Sequence, residues 1–262
     1  VNPAAMVISG KARFTVLAPG IIRMEYSPGV VFEDHATLTF LNRNMPVPEY
    51  TKKEKGGWLL IKTSELTLHY RMNSDSFSTS NLFIDYTVNG KKETWRPGKA
   101  NRGNLKGTTR TLDGCRGNLK YNGDTLKIED GLISRDGWVV IDDSSRPLFD
   151  NSDWPWVMPR PEKKVQDLYF FVYGTNYKKM LYDFSCLAGK IALPPKFTFG
   201  VWWSRYWEYS DVEFRDLVED FRIHDVPLDV LVIDMDWHLV NRPEWFDASG
   251  NRLKDKARED YG

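Results

Sequence analysis

The sequence predicts a β-rich chain that passes into α/β structure: an antiparallel β-sandwich, a connector, then a βαβ unit with parallel strands. Three observations predict it. Residues 1–173 read as short alternating strands punctuated by Gly, Pro and Asn turns. Between about 174 and 189 the apolar period lengthens to that of a helix. From Phe197 to His238 the order is apolar strand, aromatic loop, capped helix and β-branched strand. The expected organisation is a sandwich domain over 1–173, a helical and Pro-rich connector over 174–193, and a parallel α/β segment over 194–262.

The elements follow in order. Ala12 to Leu17 alternates, Pro19-Gly20 breaks the run, and Ile21 to Tyr26 alternates again before Pro28-Gly29. Trp58 to Thr63 and Leu66 to Tyr70 make a strand pair about Ser64-Glu65. Leu82 to Val88 runs into Asn89-Gly90, the strongest short hairpin signal. Leu126 to Ile128, Gly137 to Asp142 and Leu168 to Tyr173 complete the strands. Tyr177, Leu181, Phe184 and Leu187 recur at helical spacing, and Gly189 sits where a helix would stop. Leu193-Pro194-Pro195 then forces an extended connection.

Phe197 to Trp203 is apolar enough for a strand covered on both faces. Ser210-Asp211-Val212-Glu213 is a capping-box pattern, in which hydroxyl and carboxylate satisfy free amides at a helix start. Phe214, Leu217, Val218 and Phe221 form one helix face, leaving Arg215, Asp216, Glu219 and Asp220 to water. Pro227 ends the helix, and Val230 to Ile233 is again fit for a strand buried on both sides. Such a unit makes parallel strands through a right-handed crossover. Asp234 and Asp236 then point the same way at the strand's carboxyl end, where parallel α/β folds place ligand chemistry. One βαβ unit cannot cover both faces of a parallel pair, so further strands and helices are expected to complete this domain.

Composition narrows the partners. The 262 residues are 41% hydrophobic and 27% charged, ordinary for a soluble globular protein. Lys plus Arg and Asp plus Glu both number 36, which argues against nucleic-acid or anionic-membrane partners. No apolar run approaches the roughly 20 residues of a membrane helix. No signal peptide is visible, but a start at Val1 rather than Met suits a processed or excised sequence, so the compartment stays open. Cys115 and Cys186 lie far apart without metal-like spacing and read as ordinary thiols, with a disulfide the alternative. His35, His69, His224 and His238 form no HxxxH or HExxH pattern, so no metal site is expected. Ten tryptophans suit a core, and also stacking on flat sugar faces.

Two long motifs, LPPKFTFGVWWSRYWEYSDVEF (193–214) and HDVPLDVLVIDMDWH (224–238), resemble the start of the catalytic barrel of glycoside hydrolase family 31. That family contains α-glucosidases, α-xylosidases and related retaining enzymes. GNLKGTTRTLDG (103–114), GLISRDGWVVIDDS (131–144), DWPWVMPRPE (153–162) and DLYFFVYGTNYKKML (167–181) resemble its amino-terminal domain. The resemblance covers about 100–240, and 1–99 only by strand pattern. It implies a galactose-mutarotase-like β-sandwich followed by the first βαβ unit of a (β/α)8 barrel.

By that resemblance Asp234 hydrogen-bonds hydroxyls of the sugar at the cleavage point. A ring from the aromatic loop lines the same pocket: Tyr206 fits by its spacing from Gly200, with Trp207 the rival and Trp203 in the same cluster. Asp113, on a loop of the sandwich, is the candidate acidic residue reaching the pocket, and Asp236 is left undecided. The family's nucleophile lies in a W-x-D-M-x-E type motif, and its acid/base aspartate follows; neither motif occurs here, so no catalytic residue is expected in this chain. The implied function is part of a retaining glycoside hydrolase acting on α-linked glucosides, with no cofactor. Its partners are an oligosaccharide or α-glucoside substrate and the remainder of the catalytic barrel.

Blander readings stand beside these. Asp234 and Asp236 also suit a strand-end turn, Asp113-Gly114 suits a simple turn, and the Trp202, Trp203, Tyr206 and Trp207 cluster suits barrel filling. A non-catalytic carbohydrate-binding or structural sandwich is the alternative function. A third is an aldose-epimerase-like sandwich enzyme using His35 or His69 with a carboxylate.

Overall fold

The computed structural model describes residues 2–107, 120, 121, 124, 125, 128–207, 209–234 and 247–251. Asp113, Cys115, Asp236, His238 and the first two residues of the strand expected at 126–128 lie outside them. The chain divides into two compact units, Val1–Ile191 and Ala192–Gly262.

The first unit is built from strands β1 (Met6–Ser9), β2 (Ala12–Ala18), β3 (Ile21–Tyr26), β4 (Thr51–Lys55), β5 (Trp58–Lys62), β6 (Leu66–Arg71), β7 (Leu82–Val88) and β8 (Lys91–Trp95). It continues with β9 (Lys120–Tyr121), β10 (Asp124–Thr125), β11 (Trp138–Asp142), β12 (Leu148–Phe149), β13 (Val157–Met158) and β14 (Gln166–Val172), ending in helix α1 (Tyr177–Ala188). Two five-stranded sheets result, ordered β1-β2-β3-β14-β11 and β4-β5-β6-β7-β8. Every neighbouring pair in them is antiparallel. Hydrophobic side chains alternate along the strands, so each sheet offers one apolar face. Phe14, Met24 and Phe170 of the first meet Leu68, Tyr70 and Ile84 of the second in a single buried cluster.

Alternation would leave the opposite face of the first sheet polar and wet. Instead β2 and β3 are buried throughout. Part of that face is apolar: Leu17, Ile21, Tyr169 and Phe171 pack with Phe40 from the β3–β4 loop and with Met180 and Leu187 of α1. Phe40 stacks on Tyr169 at 3.7 Å. The rest is ionic. Arg23 donates to both oxygens of Asp167 at 2.8 Å, Arg13 to both of Glu25 at 2.7 and 2.9 Å, and Arg160 to Asp167 at 2.9 Å. Arg43 donates to the Tyr169 hydroxyl at 2.6 Å and to the His35 carbonyl. Arg13 and Arg23 also donate to the Glu33 carbonyl at 3.1 and 2.9 Å, which ties the β3–β4 loop to the sheet.

The segment expected to be a connector is largely α1. Asn176 caps it by accepting from the Lys179 amide at 3.3 Å. The helix is rotated from the expected face: Met180, Asp183 and Leu187 are buried, while Leu181 is 42% exposed. The cause is polar, because Asp183 accepts from the Tyr173 hydroxyl at 2.7 Å and from Lys179 at 2.6 Å.

The second unit contains β15 (Trp202–Trp203), α2 (Asp211–Ile223) and β16 (Val230–Leu231). Both strands are shorter than the sequence suggests. Lys196–Phe199 forms a 3-10 turn instead of strand, with Phe197 and Phe199 exposed. Each strand has a single hydrogen-bonded neighbour, so the burial on both faces that their composition suits is not seen among the described residues.

Candidate functional site

β15 and β16 run parallel, with Trp202 opposite Val230 and Trp203 opposite Leu231. Parallel strands end at the same edge, so the residues following each one share it. The Val232 amide donates to the Trp203 carbonyl at 3.0 Å, carrying the ladder past β16 towards Asp234. The loop after β15 brings Tyr206, 82% exposed, and Trp207, whose ring lies under the Arg205 guanidinium at 5.0 Å. Asp234 is exposed at the same edge. Two solvent-facing rings and a carboxylate can stack on a sugar face and accept from its hydroxyls.

α2 starts where its capping box places it. Ser210 Oγ accepts from the Glu213 amide at 3.2 Å, and Glu213 accepts from the Ser210 amide at 2.7 Å. Those hydrogen bonds hold the Glu213 carboxyl below the usual carboxylate range. The helix presents Phe221 to Trp203, edge to face at 5.3 Å. Trp203 is thereby turned onto α2, its indole N–H enclosed without a hydrogen-bond partner among the described residues. Tyr206 and Trp207 are the candidate rings that face solvent.

One feature of this unit gave no motif signal. Asp229, just before β16, accepts from the Val201 amide through Oδ2 at 2.9 Å, and its own amide donates to the Val201 carbonyl at 3.0 Å. A Cβ on Gly200 would lie 2.2 Å from that carboxylate.

The histidines of the epimerase alternative each have a carboxylate neighbour. His69 Nε2 lies 3.1 Å from Asp85 and its ring stacks on Phe83 at 4.2 Å. Burial lowers its pKa, more than Asp85 raises it. His35 Nδ1 lies 2.5 Å from Glu33, in the loop tied down by Arg13 and Arg23.

Fold and site together define a chain of β-sheets with few helices, carrying a parallel strand pair whose carboxyl edge gathers aromatic and acidic side chains. Residues 191–259 match the glycosyl hydrolases family 31 TIM-barrel domain. Alpha-xylosidase XylQ of Lactiplantibacillus pentosus is 30% identical over 109 residues, 40% of this chain and 14% of that protein. Alpha-glucosidase 2 of Bacillus thermoamyloliquefaciens is 34% identical over 87 residues, 33% of this chain and 11% of that protein. Among solved structures, a family 31 dextranase of Flavobacterium johnsoniae complexed with isomaltotriose superposes with a TM-score of 0.54 at 15% identity. That superposition covers 87% of this chain and 32% of the dextranase. The family model matched over 191–259 is that of glycoside hydrolase family 31, and both curated relatives are glycosidases. It spans a small part of the length of the relatives it matches.

Proposed function

We propose that this chain supplies part of the sugar pocket of a retaining glycoside hydrolase acting on α-linked glucosides. The observation that carries the reading is the shared carboxyl edge of β15 and β16, after which the Tyr206–Trp207 loop and the segment to Asp234 both follow, within the segment matched to the family's barrel domain. In this reading residues 1–173 are the β-sandwich, the second unit opens a (β/α)8 barrel, and the rest of that barrel completes the pocket. Asp234 accepts hydrogen bonds from the hydroxyls of the sugar being cleaved, and Tyr206 or Trp207 stacks on its face. Asp113 and Asp236 are further candidates for the same pocket. The nucleophile and the acid/base carboxylates that carry a retaining double displacement lie outside these 262 residues.

Hydrogen bonds to the sugar strengthen as charge develops at the anomeric carbon, so their loss falls on the transition state. The curated relatives include an α-glucosidase and α-xylosidases, which makes the glucoside and xyloside pair the informative substrates. In the full-length protein, Asp234→Ala is expected to lower kcat/KM on 4-nitrophenyl α-glucoside by about 10²-fold or more, several kcal/mol of barrel-site binding. Unchanged kcat/KM on both glycosides would remove Asp234 from the site.

A further inference from the structure

We infer that Asp229 is a positioning residue, whose carboxylate seated on the backbone at Gly200 and Val201 fixes the register of β15 against β16 and so the place of Asp234. This rests on the reading of Asp234 as a sugar ligand.

Val201 is held at both its polar groups. Its amide donates to Asp229 Oδ2 at 2.9 Å, and its carbonyl accepts from the amides of Asp229 and Val230 at 3.0 and 3.1 Å. The side chain of Asp229 therefore provides the acceptor that a backbone carbonyl would supply further along a ladder. That matters because β15 and β16 share only two paired positions, too few to resist a slip on their own. A slip of one residue would turn every side chain to the opposite face. Gly200 is needed for space and not for conformational freedom: its φ of −88° and ψ of −158° are open to any residue. A Cβ there would meet Asp229 Oδ2 and Cγ at 2.2 Å. Asp229 and Asp234 lie on one short segment, so an offset of the clasp is transmitted along it. A displacement of about 1 Å at a reacting centre is enough to cost on the order of 10²-fold in rate.

The test is kinetic, in the full-length protein, with 4-nitrophenyl α-glucoside and 4-nitrophenyl α-xyloside as probes. Asp229→Ala and Gly200→Ala are each expected to lower kcat/KM by about tenfold or more, mainly through kcat. Asp229→Asn, which keeps a side-chain oxygen for Val201, is expected to recover most of that loss. The Gly200→Ala/Asp229→Ala double variant is expected to lose less than the two single losses combined, because the carboxylate contacts at 2.2 Å are removed while a Cβ at 200 still meets the Cβ of residue 229 at 2.7 Å. Hydrogen exchange at the Val201 amide, protected in the wild type and in Asp229→Asn, keeps the test decisive should Asp229→Ala not fold. A fast-exchanging Val201 amide in the wild type overturns the inference. So does wild-type turnover by Asp229→Ala where Asp234→Ala is impaired. An unimpaired Asp234→Ala instead sinks the pocket reading itself, whatever Asp229 does.

Discussion

Arg23 is fully enclosed and holds Asp167 in a two-pronged grip, with Glu25 a further 3.0 Å away. Burial pushes the Asp167 carboxyl up, but Arg23, Arg160 and Arg43 outweigh it and hold it below the usual carboxylate range. The Asp34 carboxyl moves the same way, with burial outweighed by Arg13. A carboxyl depressed in the folded state stabilises the fold above its unfolded pKa, about 3.9, and that stabilisation is lost as pH falls through the folded value. Asp143 has the opposite sign, raised by burial and by neighbouring Asp167, so protonating it on acidification favours the fold. The expected urea midpoint is accordingly maintained down to about pH 4 and falls below it; in Asp167→Asn that acid limb flattens. Arg23→Met is expected to cost about 3 kcal/mol in the same urea titration at pH 7, since it removes the two-pronged donor of a buried carboxylate and leaves Asp167 with Arg160. Arg23→Lys should rescue little, because an ammonium cannot make the two-pronged contact. None of this was legible in the sequence. Arg13 and Arg23 stand at alternate positions of regular strand runs and look like an ordinary wet face, while Asp167 lies 144 residues from Arg23.

At the scale of the element, legibility followed locality. The capping box of α2, the β7–β8 hairpin at Asn89-Gly90 and the β2–β3 turn at Pro19-Gly20 depend on residues a few positions apart, and the structure shows them where the sequence puts them. The Phe197 to Trp203 run is strand only at Trp202–Trp203, because the Pro195 carbonyl accepts from the Thr198 amide and hydroxyl at 3.0 and 2.7 Å and closes a 3-10 turn where the apolar pattern suggests extended chain. The parallel order of β15 and β16 was readable, and strand order puts the residues that follow each strand at one edge. The Asp229 clasp was not, since it joins backbone to side chain across 28 residues. The cap makes a clean test of local coding. In a peptide of residues 209–224, Ser210→Ala is expected to cost the helix about 1 kcal/mol. Circular dichroism at 222 nm reads this as lost helicity, and unchanged helicity would show that the box contributes nothing without the rest of the chain.

At the scale of the whole molecule, every buried hydrophobic side chain among the described residues falls between Ala5 and Leu187, inside the first unit. α2 has no buried residue, and its 13 residues are near the length at which an isolated helix is marginal in water. Residues 1–191 are therefore expected to unfold cooperatively in urea on their own, and 192–262 to show no such transition. The sharper question is where the first unit ends. A cut at 173 follows the last strand, but Met180 and Leu187 lie beyond it and cover Phe40, Tyr169 and Phe171. Stripping them uncovers that apolar layer, and large side chains deleted from a core cost about 2–5 kcal/mol each. It also removes Lys179 and Asp183, leaving the Tyr173 hydroxyl without its acceptor. The piece 1–173 should thus unfold at a clearly lower urea midpoint than 1–191, and bind a hydrophobic dye that 1–191 does not. Equal midpoints would make α1 a connector after all, belonging to neither unit's core.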